Sequence, residues 1–334
     1  MKKIIIYILG IIIISFLIPI LLTKEKVEQV STSNEESENN EQQSVQNNYE
    51  YSAYNTIKLF HASTNQIEEI KLDDYLLGVV SAEMPVDFEL EALKAQSVVA
   101  RTYTIYTIVH NKGKHGDADI CDSSACCQAW ISKEDRLNRW DEDKRESNWD
   151  KITEAVNSTA GKIITYNGEP INAFFHSNSG GTTEMPINVW GGSGYPYLQV
   201  VETSGEENYS QYASEAEFTK DEILNKIKEK HSEIEIDWNA EKPFEITEYT
   251  DSGRVRTVRF GNVNLSGVEA RSIFGLRSSN FSVELNGENI KFSVKGYGHG
   301  VGLSQTGSDS LAKQGKNYEE IIKHFYQGVE IINY

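Results

Sequence analysis

The stretch LDDYLLGVVSAEMPVDFELEALKAQSVVARTYTIYTIVH, residues 72–110, decides the fold of this chain. Apolar residues recur at three- and four-residue spacing over residues 72–83, which predicts a helix. Pro85 ends that helix, because the residue before a proline is pushed out of the helical conformation. Residues 88–110 predict a longer helix, with acids in its first turn and small residues suited to close packing. The stretch therefore predicts two buried helices joined at a corner that contains Met84 and Pro85.

Predicted β-hairpins and further helices surround this pair. The dipeptides Asn167–Gly168 and Asn286–Gly287 are typical of tight hairpin turns. The predicted strand pairs are 57–60 with 67–70, 162–166 with 171–176, 245–250 with 255–260, and 281–285 with 290–294. The further helices are predicted at 151–159, 219–230, 267–274, 305–313 and 318–326. Helices interleaved with antiparallel hairpins indicate an α+β fold, in which the buried N-terminal helices pack against hairpins around a substrate cleft.

The N-terminal residues predict a membrane anchor. Residues 4–22 are an uncharged apolar run, close to the roughly 20 residues that a membrane-spanning helix needs, and no small-residue cleavage site follows them. The two lysines at the start favour a cytoplasmic tail at residues 1–3, which puts the rest of the chain outside. Residues 23–54, rich in Glu, Gln, Asn and Ser, predict a flexible acidic stalk. Residues 55–334 are the expected folded ectodomain.

The charge balance limits the possible partners. Fifty acidic against 32 basic side chains give a formal net charge of −18. Such a charge repels the phosphate backbone, which disfavours nucleic-acid binding. Recognition of an anionic polymer would then depend on hydrogen bonds and aromatic stacking. Trp190 and Tyr195 are candidates for that stacking, with ordinary core packing as the alternative.

Glu83 is the candidate for proton transfer. It shares a helical face with apolar residues and lies two residues before the proline that ends the helix. Partial burial and the negative end of a helix dipole both raise the pKa of a carboxyl group. A carboxyl group that stays protonated near neutral pH can act as a general acid. From the spacing alone, a solvated glutamate at a helix end is the alternative.

Four metal-ligating side chains fall close together in a polar loop: His115, Cys121, Cys126 and Cys127. Three thiolates and one imidazole match a tetrahedral zinc site. Adjacent Cys126 and Cys127 can share a metal only with a strained backbone, so one of them is a candidate to stay free. The alternative is one disulfide with a free thiol, because three cysteines cannot all pair with one another.

Four long strings occur in this order along the chain: DDYLLGVVSAEMP, LEALKAQSVVARTY, AFFHSNSGGTTE and GYGHGVGLSQTGSDSLAKQGKNYEEIIKHFYQGVEI. Together they resemble the stage II sporulation protein D family and span most of the predicted ectodomain. Members of that family are lytic transglycosylases of the mother-cell membrane that degrade septal peptidoglycan during engulfment of the forespore. The resemblance implies the same activity here, with Glu83 as the catalytic glutamate.

The implied mechanism needs one carboxyl group. Glu83 would protonate the oxygen between N-acetylmuramic acid and N-acetylglucosamine, and its carboxylate would then accept the proton of the sugar's 6-hydroxyl as a 1,6-anhydro ring closes. Arg101, in the matching ARTY string, would bind the lactyl carboxylate of a peptide-free strand. The alternative is that it covers its own apolar surface or pairs with a surface acid. The remaining substrate-binding candidates lie in two glycine-containing loops that also suit structural roles: His176, Ser177, Ser179, Gly180, His299 and Gln305.

The resemblance also implies a metal, a location and partners. Clostridial members show a similar metal loop with histidine at the position of Cys126, and other members lack the metal residues, which indicates a structural zinc. The expected location is the septal or engulfing membrane of the mother cell. The expected partners are peptidoglycan glycan strands, stage II protein P, which is a sporulation amidase and endopeptidase, and membrane protein M.

Two rival functions remain open at the level of the sequence. A zinc with an open coordination position would suit a cell-wall amidase or peptidase that acts on stem peptides. A glycan-binding protein without activity of its own would suit an enhancer of a partner amidase, as in the related amidase-enhancer proteins.

Overall fold

A sharp corner joins the two central helices. The computed structural model describes residues 54–110 and 113–334, and its first helix, α1 (Leu72–Glu83), ends where Met84 becomes extended, with φ −120° and ψ 142°. Steric conflict with the Pro85 ring accounts for that conformation. The second helix, α2 (Leu90–His110), follows after a short turn. Both predicted helices are confirmed, although α2 begins at Leu90 and not at residue 88.

The predicted tail, anchor and stalk, except for Tyr54, lie outside the described residues. Within 54–110 and 113–334, no helix is both long and apolar enough to cross a bilayer.

The other elements alternate along the chain. The remaining helices are α3 (Lys133–Asn138), α4 (Arg145–Asn157), α5 (Pro186–Trp190), α6 (Lys220–Lys228), α7 (Gly267–Phe274), α8 (Gln305–Lys313) and α9 (Tyr318–Phe325). The strands are β1 (Thr56–His61), β2 (Gln66–Lys71), β3 (Ile120–Cys121), β4 (Lys162–Tyr166), β5 (Glu169–Pro170), β6 (Phe175–His176), β7 (Ala213–Thr219), β8 (Phe244–Tyr249), β9 (Val255–Phe260), β10 (Val263–Ser266), β11 (Phe281–Asn286), β12 (Asn289–Lys295), β13 (Leu303–Ser304) and β14 (Glu330–Asn333).

These strands form small sheets, with the orders β2-β1-β3, β14-β4-β5, β11-β12-β7, β10-β9-β8 and β13-β6. The pairings are antiparallel except those of β1 with β3 and of β6 with β13. Four of the sheets contain the hairpins that the turn signals predicted, such as β11–β12 with its Asn289↔Asn286 register. The predicted α+β class with antiparallel sheets is confirmed.

Helix α2 is the centre of the main body because it is buried on two faces. One face, with Leu93 and Ile105, packs with α1 and α4. The other face, with Ala95 and Val98, packs with β4, α8 and α9. Small residues at these contacts let the neighbouring elements approach closely.

Residues 213–294 form a second lobe with its own apolar core. Sheets β11-β12-β7 and β10-β9-β8 enclose α6 and α7 around a cluster of rings that includes Phe260, Phe274 and Phe292. The position of α7 matters for function, because its outer side borders the cleft described below.

The strand predicted at 171–176 is wrong over most of its length. Only β6 is a strand there, and it pairs in parallel with β13, at the start of the distant α8. The carbonyl of Phe174 accepts a hydrogen bond from the Leu303 N–H at 3.0 Å, which ties the two segments together. A local pattern cannot reveal a pairing between segments so far apart in sequence. Because β6 and β13 pair, His176 at the end of β6 and Gln305 directly after β13 lie at the same edge of this two-stranded sheet.

Candidate active site

Glu83 lies at the junction of two cavities. The larger has a volume of about 770 Å³ and the smaller about 350 Å³, and they share three lining residues: Glu83, Ser177 and Gln305. Both volumes fall within the roughly 300–1,000 Å³ of ligand pockets. In the described part of the chain, Glu83 is the only acid that lines either cavity. The two cavities therefore form a cleft with one carboxyl group between them.

The Glu83 carboxyl group is half-buried and biased toward its protonated form. Burial raises the pKa of Glu83 above its ordinary value, because the ionised form loses hydration. The hydrogen bond from the Ala129 N–H, at 2.6 Å from Oε1, and the nearby Gln305 amide have the weaker, opposite effect. The partial burial of Glu83 agrees with its predicted position on the apolar face of α1.

The Ala129 N–H is held in place by its neighbours on both sides. Gln128 is fully buried, and its Nε2 donates to the Tyr75 hydroxyl on α1 at 3.0 Å. Trp130 packs directly on Gly78 of α1, where a Cβ would overlap the indole ring. The segment is thereby fixed against the helix that carries the candidate acid. No sequence signal connected this segment to the site.

Two neutral histidines line the larger cavity. His176 Nδ1 donates to the Val301 carbonyl at 3.1 Å, and His299 Nδ1 accepts from the Val301 N–H at 3.0 Å. Burial lowers the pKa of His176 to about 3, with a further contribution from Arg254. Burial also lowers the pKa of His299 well below its ordinary value, with His176 contributing. Because its proton is on Nδ1, His176 presents Nε2 as a buried acceptor that has no partner within the described residues.

The loop that follows His176 is fixed from behind by Glu206. Ser179 is fully buried, and both its N–H and its hydroxyl donate to the buried Glu206 carboxylate. Gly180 has φ 72° and packs tightly against a neighbouring backbone. Ser179 and Gly180 therefore shape the loop, and neither lines either cavity. Ser177 does face the cleft.

Arg101 does not line the cleft. Its guanidinium group is fully buried and donates to the carbonyls of Thr159, at 2.8 Å, and Lys162, at 3.3 Å. It also forms an ion pair with Asp73 at 3.0 Å. These contacts tie the end of α4 to α2, and Arg101 lines neither cavity. The structure thus shows a structural role for Arg101.

An aromatic wall faces the histidines. Trp190, which is 52% exposed, has its ring centroid 4.6 Å from that of Phe174 and 5.0 Å from that of His299. An exposed indole in a cleft can stack on the apolar face of a sugar. Tyr195, the other aromatic candidate, lies behind this wall and accepts a hydrogen bond from Asn172 at 3.3 Å.

The metal-ligating side chains converge as predicted. The donor atoms of His115, Cys121, Cys126 and Cys127 lie within 4.8 Å of one another, and the three cysteines form no disulfide. His115 Nε2 is 3.2 Å from Cys127 Sγ and 3.8 Å from Cys126 Sγ. Nitrogen and sulfur ligands of a tetrahedral zinc would be about 3.6 Å apart. Neither Cys126 nor Cys127 has a positive φ. The donor set fits zinc.

Fold and site together define an α+β protein with a one-carboxyl cleft beside a metal-ligating loop. A family profile described as Stage II sporulation protein matches residues 60–166, which include Glu83 and that loop. Stage II sporulation protein D of Bacillus amyloliquefaciens is 36% identical over 83% of this chain and 78% of its own length. The protein of the same name from Bacillus subtilis is 35% identical with the same coverage. The chain belongs to the stage II sporulation protein D family.

A second kind of relative extends this comparison. The amidase enhancer of Bacillus subtilis is 30% identical over 78% of this chain and 40% of the enhancer. Family membership makes the chain a sporulation protein that takes part in cell-wall processing.

Proposed function

We propose that this protein is a peptidoglycan lytic transglycosylase that uses Glu83 as its only proton-transferring carboxyl group. The observation that carries the proposal is the absence of a second acid from the described lining of the cleft. A hydrolase of the usual kind needs two carboxyl groups, about 5 to 5.5 Å or roughly 6.5 to 9.5 Å apart. A transglycosylase that uses the sugar's own hydroxyl needs only one.

The reaction starts from the protonated form of Glu83, which burial favours. Glu83 donates its proton to the glycosidic oxygen as the bond from that oxygen to C1 of N-acetylmuramic acid breaks, and N-acetylglucosamine leaves with a free 4-hydroxyl. The Glu83 carboxylate then accepts the proton of the muramic 6-hydroxyl, whose oxygen bonds to C1. The product has a 1,6-anhydro end, Glu83 is protonated again, and no water is consumed.

The remaining cleft residues suit a sugar polymer. Trp190 offers a stacking surface, His176 Nε2 an acceptor for a hydroxyl, and Gln305 an amide beside the acid. Two cavities on either side of Glu83 can hold sugars on both sides of the cleaved bond. This arrangement supports cleavage within a glycan strand.

Product analysis tests the proposal. We expect purified protein to release fragments with 1,6-anhydro-muramic ends from peptide-free glycan strands, as measured by mass spectrometry. New reducing ends without anhydro sugar would indicate a hydrolase. New amino groups would indicate a peptidase or amidase, and either product pattern would refute the proposal.

The predicted zinc is part of the proposal as a structural cross-link. Bound to His115 and the three cysteines, it would hold together the loop that leads to Ala129, next to Glu83. We expect about one zinc per chain in protein purified without chelator. Replacing Cys121 with Ser should abolish zinc binding and lower the melting temperature by about 5 °C or more.

Asp117→Asn is the matched control for this substitution, because Asp117 is exposed in the same loop and is not among the clustered donors. It should keep both the zinc and the melting temperature. Metal analysis that finds almost no zinc, together with a single titratable thiol, would contradict the zinc site and favour a disulfide. Immediate loss of activity on chelation, before any change in melting temperature, would favour a zinc peptidase.

The likeness to an amidase enhancer favours one further candidate function, stimulation of a partner amidase. In that case the protein would bind glycan without cleaving it, and a variant without the acid would stimulate as well as the wild type. We also propose the location and partners that the resemblance implies. The protein would be anchored by residues 4–22 with its body facing outward. It would contact stage II protein P, which is the sporulation amidase and endopeptidase, and membrane protein M.

A further inference from the structure

The charge of the cleft is opposite to that of the chain. The formal net charge is −18, yet the charged residues that line the two cavities, within the described part of the chain, are one acid and three bases. Lys114 and Arg271 line the larger cavity, and Arg136 lines the smaller. Because the bases outnumber the acid, the cleft attracts anions in a protein that otherwise repels them.

Arg271 lies on α7, at the border between the second lobe and the larger cavity. Its Nε donates to the Leu276 carbonyl at 3.4 Å, and its two terminal nitrogens have no hydrogen bond or ion pair with any described residue. Burial lowers the pKa of Arg271, with Tyr297 opposing, yet the group remains an arginine whose charge persists at neutral pH. The free edge of the guanidinium is available to a bidentate acceptor.

Arg136 has the corresponding place on the other side of Glu83. It lies on α3, and its guanidinium is stacked on the Trp140 ring, 4.8 Å from the centroid. Stacking fixes the plane of the guanidinium and leaves its N–H edge free. No acid of the described chain pairs with it, and its buried Nε has no partner there. The two arginines therefore lie in different cavities, with Glu83 at the junction.

We infer that Arg271 and Arg136 bind the lactyl carboxylates of a glycan strand on the two sides of Glu83. The inference rests on the proposed transglycosylase function. Every second sugar of such a strand carries a lactyl group, which ends in a carboxylate when the peptide is absent and in a neutral amide when it is present. A planar guanidinium binds a carboxylate through two charge-assisted hydrogen bonds. A neutral amide has only one acceptor oxygen and no charge, so it cannot form this pair of bonds.

The test compares two ligands on one protein. Calorimetry of full-length Glu83→Gln, which cannot cleave the strand, measures the binding of a peptide-free oligosaccharide and of the same oligosaccharide with its lactyl carboxyls converted to amides. We expect the amide form to bind about 10-fold more weakly. Adding Arg271→Gln should weaken binding of the acid form by about 10-fold and leave the amide form nearly unchanged.

Arg136→Gln should act in the same way, and Arg139→Gln is the matched control. Arg139 lies just beyond the end of the same helix, is exposed and lines neither cavity, so its loss removes the same charge without removing a contact. Arg271→Lys should restore only part of the preference for the acid, because lysine keeps the charge and loses the paired hydrogen bonds.

Equal affinity for the acid and amide forms on the Glu83→Gln protein would overturn the inference, whether or not the arginine variants fold. That result is independent of the proposed reaction, which is judged by the anhydro product of the wild-type protein. Anhydro product with equal affinities would remove the arginine roles alone. A preference for the acid without anhydro product would keep the arginine roles as binding sites and remove the transglycosylase.

Discussion

Glu83→Gln is expected to reduce release of 1,6-anhydro product by at least about 10³-fold and to leave binding of glycan strands within about twofold. Glutamine keeps the shape of the side chain, and its oxygen can still accept the 2.6 Å hydrogen bond from the Ala129 N–H. It cannot donate an acidic proton or accept one. In the proposed reaction the same carboxyl group serves both proton transfers, and no other acid among the described lining residues could replace it.

The pH dependence of the wild-type protein checks the same assignment. In the proposed reaction the reactive form of Glu83 is protonated, and burial raises its pKa above the ordinary carboxyl value. The rate should therefore fall as pH rises through that raised pKa, and the decline should begin at a higher pH than for an exposed carboxyl group. His176 does not titrate in this range, because its pKa is about 3. The rate profile is measured by the yield of anhydro product.

Glu89→Gln is the control for Glu83→Gln, because Glu89 is an exposed acid at the same helical corner and lines neither cavity. It should retain the wild-type rate and pH profile. Undiminished anhydro product from Glu83→Gln would remove the assignment of Glu83, however well the variant binds glycan.

Local patterns predicted most of the helices and the candidate acid. Helices α7 and α8 have the predicted bounds, because each begins at a serine whose side chain accepts from the N–H three residues on, a signal that is visible in the sequence. Glu83 could be singled out because both determinants of its setting are local in sequence: the apolar face of its own helix, and Pro85 two residues further on. The donors of the metal loop were also predictable, since their clustering needs only a short loop.

The parts that could not be predicted depend on contacts between distant segments. Arg271 is separated from Glu83 by most of the ectodomain, and no local pattern shows that α7 borders the cleft. The resemblance implied a substrate contact for Arg101, and a mid-helix arginine gives no local sign of its partners, which include carbonyls at the end of α4. The role of Ser179 was missed for the same reason. Its partner Glu206 looks like any surface acid in the sequence.

Glu206→Gln is expected to destabilise the fold by about 3–5 kcal/mol, as measured by urea unfolding. The carboxylate is fully buried, and each of its oxygens accepts a backbone N–H: Oε1 from Ser179 at 3.1 Å and Oε2 from Gly181 at 3.0 Å. An amide has only one oxygen, so in either orientation its NH₂ group would face one of these donors. Hydroxyl groups can rotate to accommodate an amide, but a backbone N–H cannot.

The loss of the Glu206 charge adds to the hydrogen-bonding conflict in Glu206→Gln, and the destabilisation should also affect the cleft. Burial lowers the pKa of Arg254 to about 10, and the charges of Glu184 and Glu206 oppose that shift, so neutralising Glu206 leaves Arg254 less well compensated. Because the Glu206 carboxylate also accepts from Thr306, next to Gln305, the variant should lose activity at temperatures where it is still folded. The exposed neighbour Glu207 provides the control. If Glu207→Gln costs as much stability as Glu206→Gln, the buried carboxylate does not hold the two cleft loops together.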